Sequence, residues 1–157
     1  MLITLWRHGE AAYSRPDSQR ELTDQGSRHV RASVGLYRSL CERGGLSLPT
    51  VCVHSPYSRT HQTANLIAGE LRLSEVVARN TLAPGQIDYV SGDFLSENAE
   101  HQLIVGHQPY LSQLIEVWCD ISGHISVSPS GFAIIELHVP CRGGGVLLHH
   151  ESEGYSG

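Results

Sequence analysis

At 157 residues the chain has the length of one domain with a sizeable core. Its 40% apolar and 17% charged residues suit an ordinary globular protein, and a net charge of -5 argues against a general nucleic-acid binder while leaving room for a local basic pocket. No apolar run reaches bilayer length, no basic-then-apolar leader is visible, and Cys41, Cys52, Cys119 and Cys141 form no Cys-x-x-Cys pair. The expected setting is the cytoplasm, with no membrane contact and with Cys52 and Cys119 as buried free thiols.

Residues 1–6 form an apolar stretch that reads as a buried strand, and Gly9 allows a sharp turn at its carboxyl end. That turn displays Arg7 and His8 at the edge where open α/β sheets collect ligands. A guanidinium matches phosphate oxygens with its planar fork, and an imidazole can attack phosphorus and hold the group covalently. A polar loop follows over 9–22, containing Pro16, Asp17 and Ser18. Thr23 or Asp24 is placed to cap a helix over 25–41, with Val30, Val34, Tyr37 and Cys41 inward and Gly44-Gly45 beyond its end.

Residues 50–54 predict a second, parallel strand. Residues 58–72 predict a helix with Ala64, Ile67, Ala68 and Leu71 inward, and with Arg59 in its first turn, where helix N-termini favour anions. A brief strand is expected over 75–78 and a weakly periodic helix over 87–97. Residues 102–106 predict a further strand, ending in Gly106-His107-Gln108-Pro109, and 110–119 a helix. Residues 132–139 and 146–150 predict a terminal hairpin around Gly143-Gly144-Gly145. Residues 1–150 thus read as a single domain and 151–157 as a polar tail. The alternation implies a three-layer α/β/α sandwich with a mostly parallel sheet.

Ten histidines raise the question of a metal. Metal ligands recur at short fixed spacing with Cys or carboxylate partners. Here His149 and His150 are adjacent and point to opposite faces of a strand, while His29, His54, His61, His101, His124 and His138 are scattered and read as surface residues. Neither a metal nor a cofactor is expected. Three separate strand ends, by contrast, deliver Arg7, His8, Arg59 and His107 to one rim, a grouping suited to phosphate- or sulfate-like anions.

Arg7-His8-Gly9, Leu22-Thr23 with Gly26, Ser55-Pro56-Tyr57 with Arg59 and Gln62-Thr63-Ala64, and Val105-Gly106-His107 together resemble the histidine phosphatase superfamily, with its phosphoglycerate mutase-like fold. The small size, Leu82-Ala83-Pro84 and Gly106-His107-Gln108-Pro109 resemble its compact branch, the SixA-type phosphohistidine phosphatases. The resemblance implies that His8 attacks phosphorus and forms a phosphohistidine that water hydrolyses, with Arg7 and Arg59 as clamp and His107 as a further donor when protonated, its cationic form favoured by the phosphate charge. A hydrogen bond from the other nitrogen of His8 to backbone is expected to fix its tautomer.

Phosphomonoesterases and mutases of this superfamily carry a glutamate or aspartate that protonates the leaving oxygen. The corresponding stretch here, Thr81-Leu82-Ala83-Pro84-Gly85, has no acid; Glu10, Asp88 and Asp93 are the other carboxylates considered. An alkoxide leaves poorly without a proton, whereas a phosphohistidine imidazole protonated on its distal nitrogen leaves neutral. The resemblance also suggests Arg20 and Ser14 as further substrate contacts. Ser55 is expected to shape its turn, and Gln62 and Thr63 to hold their helix against neighbouring loops. With short connections and no cap domain, the site should be open enough for a phosphohistidine-bearing protein such as a phosphotransfer domain, and the compact size permits a monomer. The expected function is a metal-independent phosphohistidine phosphatase. The alternatives are a small-molecule phosphomonoesterase of the same superfamily and a non-catalytic phosphate-recognising module.

Overall fold

Strands Leu2–Arg7 (β1), Val51–His54 (β2), Glu75–Ala78 (β3), His101–Gly106 (β4), Phe132–Leu137 (β5) and Gly145–His150 (β6) build one sheet in the order β3-β2-β4-β1-β5-β6. The structure, a computed structural model, describes residues 1–85, 87–88, 92–123 and 125–151. Strands β3, β2, β4 and β1 run parallel, β5 runs against β1, and β6 against β5. Only β5 therefore opposes the common direction.

Alternation along β1 sorts the core into two layers. Ile3 and Leu5 join Ile104, Leu111, Leu114 and Trp118 on the face covered by helix Tyr110–Trp118 (α3). Trp6 joins Val34, Tyr37, Ile67 and Phe132 on the face covered by helices Asp24–Gly44 (α1) and Ser58–Leu71 (α2). Helix α1 starts where Thr23 Oγ1 accepts from the Gly26 N–H at 2.9 Å, and it ends at Gly45, whose φ of 64° lies in the left-handed region. Val30, Val34, Tyr37 and Cys41 are buried on it as expected. On α2, Ala64 and Ile67 are buried, while Ala68 and Leu71 are half-buried.

The expected helix over 87–97 does not form in its described part, and residues 89–91 lie outside the described residues. Gly92 has a φ of 58°, and the Leu95 N–H closes a turn onto Gly92 O at 2.8 Å. Gln102 of β4 then pins the segment: its Nε2 donates to Phe94 O at 2.9 Å and its Oε1 accepts from Ser96 N at 2.6 Å. A side chain of the following strand thus replaces the helix's own hydrogen bonds.

His54 and His101 are not surface residues; they are 3% and 1% exposed. His54 Nδ1 donates to Ser55 O at 2.7 Å, and His101 Nδ1 donates to Ser47 O at 2.6 Å. His101 Nε2 also lies 2.8 Å from Thr4 Oγ1, which is 2.8 Å from the Tyr37 hydroxyl, so this buried histidine is satisfied within the sheet layer. Cys52 is buried as expected, whereas Cys119 is only half-buried. Glu151, the first residue of the expected polar tail, still pairs through its N–H with Phe132 O at 2.9 Å. His124 and residues 152–157 lie outside the described residues. Among the described residues no helix is long and apolar enough to cross a membrane.

After β1 the chain moves toward β2, and after β4 it moves toward β5, in opposite directions along the sheet. The carboxyl ends of the neighbouring strands β1 and β4 thus mark a topological switch point, where the departing connections leave a crevice.

Candidate active site

Strands β2, β4 and β1 lie side by side, with Arg7 paired to Gly106 and His54 to Val105. Their ends therefore bring Arg7-His8, Ser55 and His107 together, each strand being offset by about 4.8 Å from the next. The pairing runs on into the turns: His8 N donates to Gly106 O at 3.2 Å, Ser55 N to Val105 O at 3.2 Å, and Ser130 N to His8 O at 3.2 Å. A cleft of about 490 Å³ opens here, lined by Arg7, His8, Arg20, Arg59, His107 and Gln108 together with Glu10, Asp17 and Pro84.

The loop over 9–22 is an ordered excursion. Ala11 bridges Leu22, Ala12 N donates to Glu21 O at 2.9 Å, and a 3-10 turn covers Asp17–Gln19. Gly26 lets α1 press directly on this loop, since a Cβ there would lie 2.2 Å from Glu10 O. Gln62 and Thr63 of α2 anchor it from below: Leu22 N donates to Gln62 Oε1 at 2.7 Å, and Gly9 N to Thr63 Oγ1 at 3.1 Å.

The imidazole of His8 is fixed as the chemistry requires. A carbonyl can only accept, so the 2.7 Å contact between Nδ1 and Gly9 O places the hydrogen on Nδ1. Nε2 keeps its lone pair, which accepts from Arg59 Nε at 3.3 Å. Burial, aided by the charges of Arg59, Arg7 and Arg20 and opposed by the Gly9 hydrogen bond, pushes His8 down to about 4. A neutral imidazole with one bare, oriented nitrogen results, the form a nucleophile needs.

Arg59 is 5% exposed. Its NH1 donates to Asp17 O at 2.8 Å and its NH2 to Asp17 Oδ2 at 3.2 Å, while its guanidinium carbon stands 5.1 Å from the centre of the Tyr57 ring. Arg7 NH1 donates to Val127 O at 3.0 Å, and its buried Nε has no hydrogen-bond partner among the described residues. His107 is 2% exposed, its ring centre 5.2 Å from that of His8 and 5.3 Å from that of Tyr57. Burial, helped by His8 and Arg59, pushes it down to about 3, and its Nδ1 also has no partner among the described residues. Two buried nitrogens without partners in a cleft rich in cations are a strong signal of an anion site, because such groups are costly to leave unpaired.

Of the softer expectations, Arg20 lines the cleft, with Nε donating to Ala12 O at 3.0 Å, NH2 to Ala11 O at 3.2 Å and NH1 to Asp17 Oδ1 at 3.3 Å. Ser14 is not among the lining residues. It is exposed in a neighbouring depression with Tyr13, Arg15 and Pro16, because the turn at Asp17 carries that part of the loop outward. Asp88 and Asp93 do not line the cleft either. Glu10 does, and its Oε1 accepts from Thr23 Oγ1 at 3.0 Å.

Three contributors were not apparent from sequence. Asp17 bridges Arg20 and Arg59; its slight burial raises its pKa, but the hydrogen bonds and charges of the two arginines outweigh this and hold the carboxyl below its ordinary value. Tyr57 supports both Arg59 and His107. Ser55, read as a turn former, places its Oγ 2.7 Å from His107 Nε2. The Asp17–Arg59 and Ser55–His107 contacts span 42 and 52 positions, so no local pattern announces them.

Among the described residues no group of three or more His, Cys, Asp or Glu side chains is placed to hold a metal ion. The cleft can instead bind a tetrahedral anion between guanidinium groups, with a bare imidazole nitrogen beside it.

The fold is shared with solved phosphatase structures. The protein histidine phosphatase SixA in complex with tungstate superposes with a TM-score of 0.78 at 24% identity, covering 97% of both chains. A protein of Agrobacterium tumefaciens assigned as a phosphohistidine phosphatase, SixA, gives 0.72 at 19% identity over 97% of both chains. The alpha-ribazole phosphatase of Shigella flexneri gives 0.69 at 16% identity, covering 100% of this chain and 98% of its own. No curated protein matches the sequence. The family profile of the histidine phosphatase superfamily (branch 1) matches residues 3–84, just over half of the 157 residues. The chain therefore belongs to branch 1 of the histidine phosphatase superfamily.

Proposed function

We propose that the protein is a phosphohistidine phosphatase acting on a phosphorylated histidine of a partner protein, with His8 as nucleophile. The observation that carries this reading is the protonation pattern of the cleft. The nucleophilic nitrogen is bare and held by neighbours, whereas Asp17, the carboxylate tied to the cleft arginines, is kept ionised. Pro84 stands on the wall where ester-cleaving relatives would present an acid. A wall that carries no acid at Pro84 suits a leaving group that brings its own proton.

His8 Nε2 attacks phosphorus in line, and the bond from phosphorus to the substrate imidazole breaks. The electron pair stays on that imidazole, which departs neutral because its distal nitrogen is already protonated. Arg7 and Arg59 spread the charge of the equatorial oxygens. Water then attacks the phosphorus on His8, releasing inorganic phosphate and restoring the bare Nε2. A cytoplasmic setting is supported by the four cysteines, all unpaired. The names of the SixA neighbours agree with the substrate class. Glu10 at the cleft wall supports a second reading, a small-molecule phosphomonoesterase with Glu10 as the acid.

The test compares phosphate release by wild type and His8→Ala from a phosphorylated histidine phosphotransfer domain and from an aryl phosphate. Release from the protein, lost in the variant and with little ester turnover, is the expected result. Fast ester turnover that collapses in Glu10→Gln would overturn it in favour of the second reading.

A further inference from the structure

We infer that Ser55 is a positioning residue that holds neutral His107 in the tautomer bearing its hydrogen on Nδ1, so that His107 donates to the substrate phosphate without first being protonated. The inference rests on the phosphate-binding role proposed for this cleft, but its geometry stands independently.

Ser55 is 0% exposed and fixed on every side. Its N–H donates to Val105 O at 3.2 Å. Its carbonyl accepts from His54 Nδ1 at 2.7 Å and from the Thr60 hydroxyl at 2.8 Å. Its Oγ accepts from Tyr57 N at 3.3 Å and lies 2.7 Å from His107 Nε2. The hydroxyl therefore has one acceptor site filled, and its own hydrogen needs a partner.

Two arrangements are open. If Nε2 carried the hydrogen, it would donate to Oγ, and the Ser55 hydrogen would face no other acceptor among the described residues. Nδ1, the nitrogen without a partner, would then be a buried lone pair in a cleft built for anions, where it repels the ligand. If Nδ1 carries the hydrogen, the Ser55 hydroxyl donates to Nε2 and every polar atom of Ser55 is satisfied. Nδ1–H is then the one group left over, and it is a donor. Since an unpaired buried hydroxyl is costly, the second arrangement dominates. The depressed basicity of His107 makes this useful: a ring that stays neutral down to low pH supplies a donor across the physiological range.

The experiment is imidazole ¹⁵N NMR on histidine-labelled protein at about pH 7, with the His107 signals identified by their loss in His107→Gln. The expected wild-type spectrum shows hydrogen on Nδ1 and a bare Nε2; hydrogen on Nε2 overturns the inference. In Ser55→Ala the preference for Nδ1–H should be lost. Phosphate release from the phosphotransfer domain should then fall roughly twofold or more, alike at about pH 6 and about pH 8, because rings that carry their hydrogen on Nε2 turn a lone pair toward the phosphate. A Ser55→Ala protein that keeps the wild-type tautomer also overturns it. The wild-type spectrum needs neither substrate nor a stable variant. A protein with the Nδ1–H tautomer that releases no phosphate would refute the proposed function and leave the role of Ser55 intact.

Discussion

Lowering the pH from about 7.5 to about 5.5 protonates most free imidazoles, yet His8 should keep its attacking nitrogen bare. With its pKa pushed to about 4, roughly 97% of His8 is neutral at pH 5.5; at its ordinary value of 6.5 the figure would be about 9%. The structure thus predicts a roughly tenfold greater supply of nucleophile under mildly acidic conditions. Burial is the largest cause, and the Arg59 charge beside Nε2 is a smaller one. Arg59→Gln should therefore raise the midpoint without restoring 6.5. An NMR titration of the His8 ring, assigned by the His8→Gln variant, reads this directly and avoids the ionisation of any substrate. A wild-type midpoint between 6 and 7 would refute the argument, as would an Arg59→Gln titration that superimposes on wild type.

Two further predictions concern the frame that holds the cleft. In Gly106→Ala the new Cβ would lie 2.2 Å from the Tyr110 hydroxyl oxygen, which donates to Leu82 O at 2.7 Å close to the Pro84 wall. Overpacking plus the lost hydrogen bond should cost about 2–4 kcal/mol in urea unfolding; an unchanged midpoint would show that Tyr110 yields freely. Burial holds His8, His54, His101 and His107 below their ordinary values. The unfolded chain binds these protons near pH 6.5 and the folded one does not, so stability present above 6.5 is lost as pH falls below it, for His8 down to about 4, each group contributing up to about 1.4 kcal/mol per pH unit. Equal urea midpoints at pH 7 and pH 5 would contradict this.

The sheet was legible because each strand end carries its own punctuation. Gly9 after β1, Pro56 after β2 and Gly106 before His107 mark sharp turns, and the polar residues at those turns are local neighbours of the apolar runs that aim them. Arg7, His8, Arg59 and His107 could thus be assigned to one rim from spacing alone. What sequence did not reveal depends on contacts outside the regular periodicity of each element. Ile87, Phe94 and Leu95 have an apolar spacing compatible with a helix, but the Gln102 amide competes successfully for the backbone around Phe94. Ser14 and Arg20 are both polar and both lie in the loop that follows His8. Only the turn at Asp17 decides that one lines the cleft and the other faces outward.

The pairing of Arg59 with Asp17 gives the cleft a resident counter-ion tethered to its own chain. Phosphate capture is then an ion exchange: an internal carboxylate must give way, wholly or in part, as an external anion arrives. Observed affinity is the difference between the two, which disfavours weakly held monoanions such as chloride and favours dianions that engage the planar fork with two oxygens. The exchange also frees the excursion carrying Tyr13 and Pro16 from one of its anchors. Occupancy would therefore loosen the mouth of the site where many enzymes tighten it, and cleavage within residues 12–17 by an added protease should be faster with phosphate present than without it.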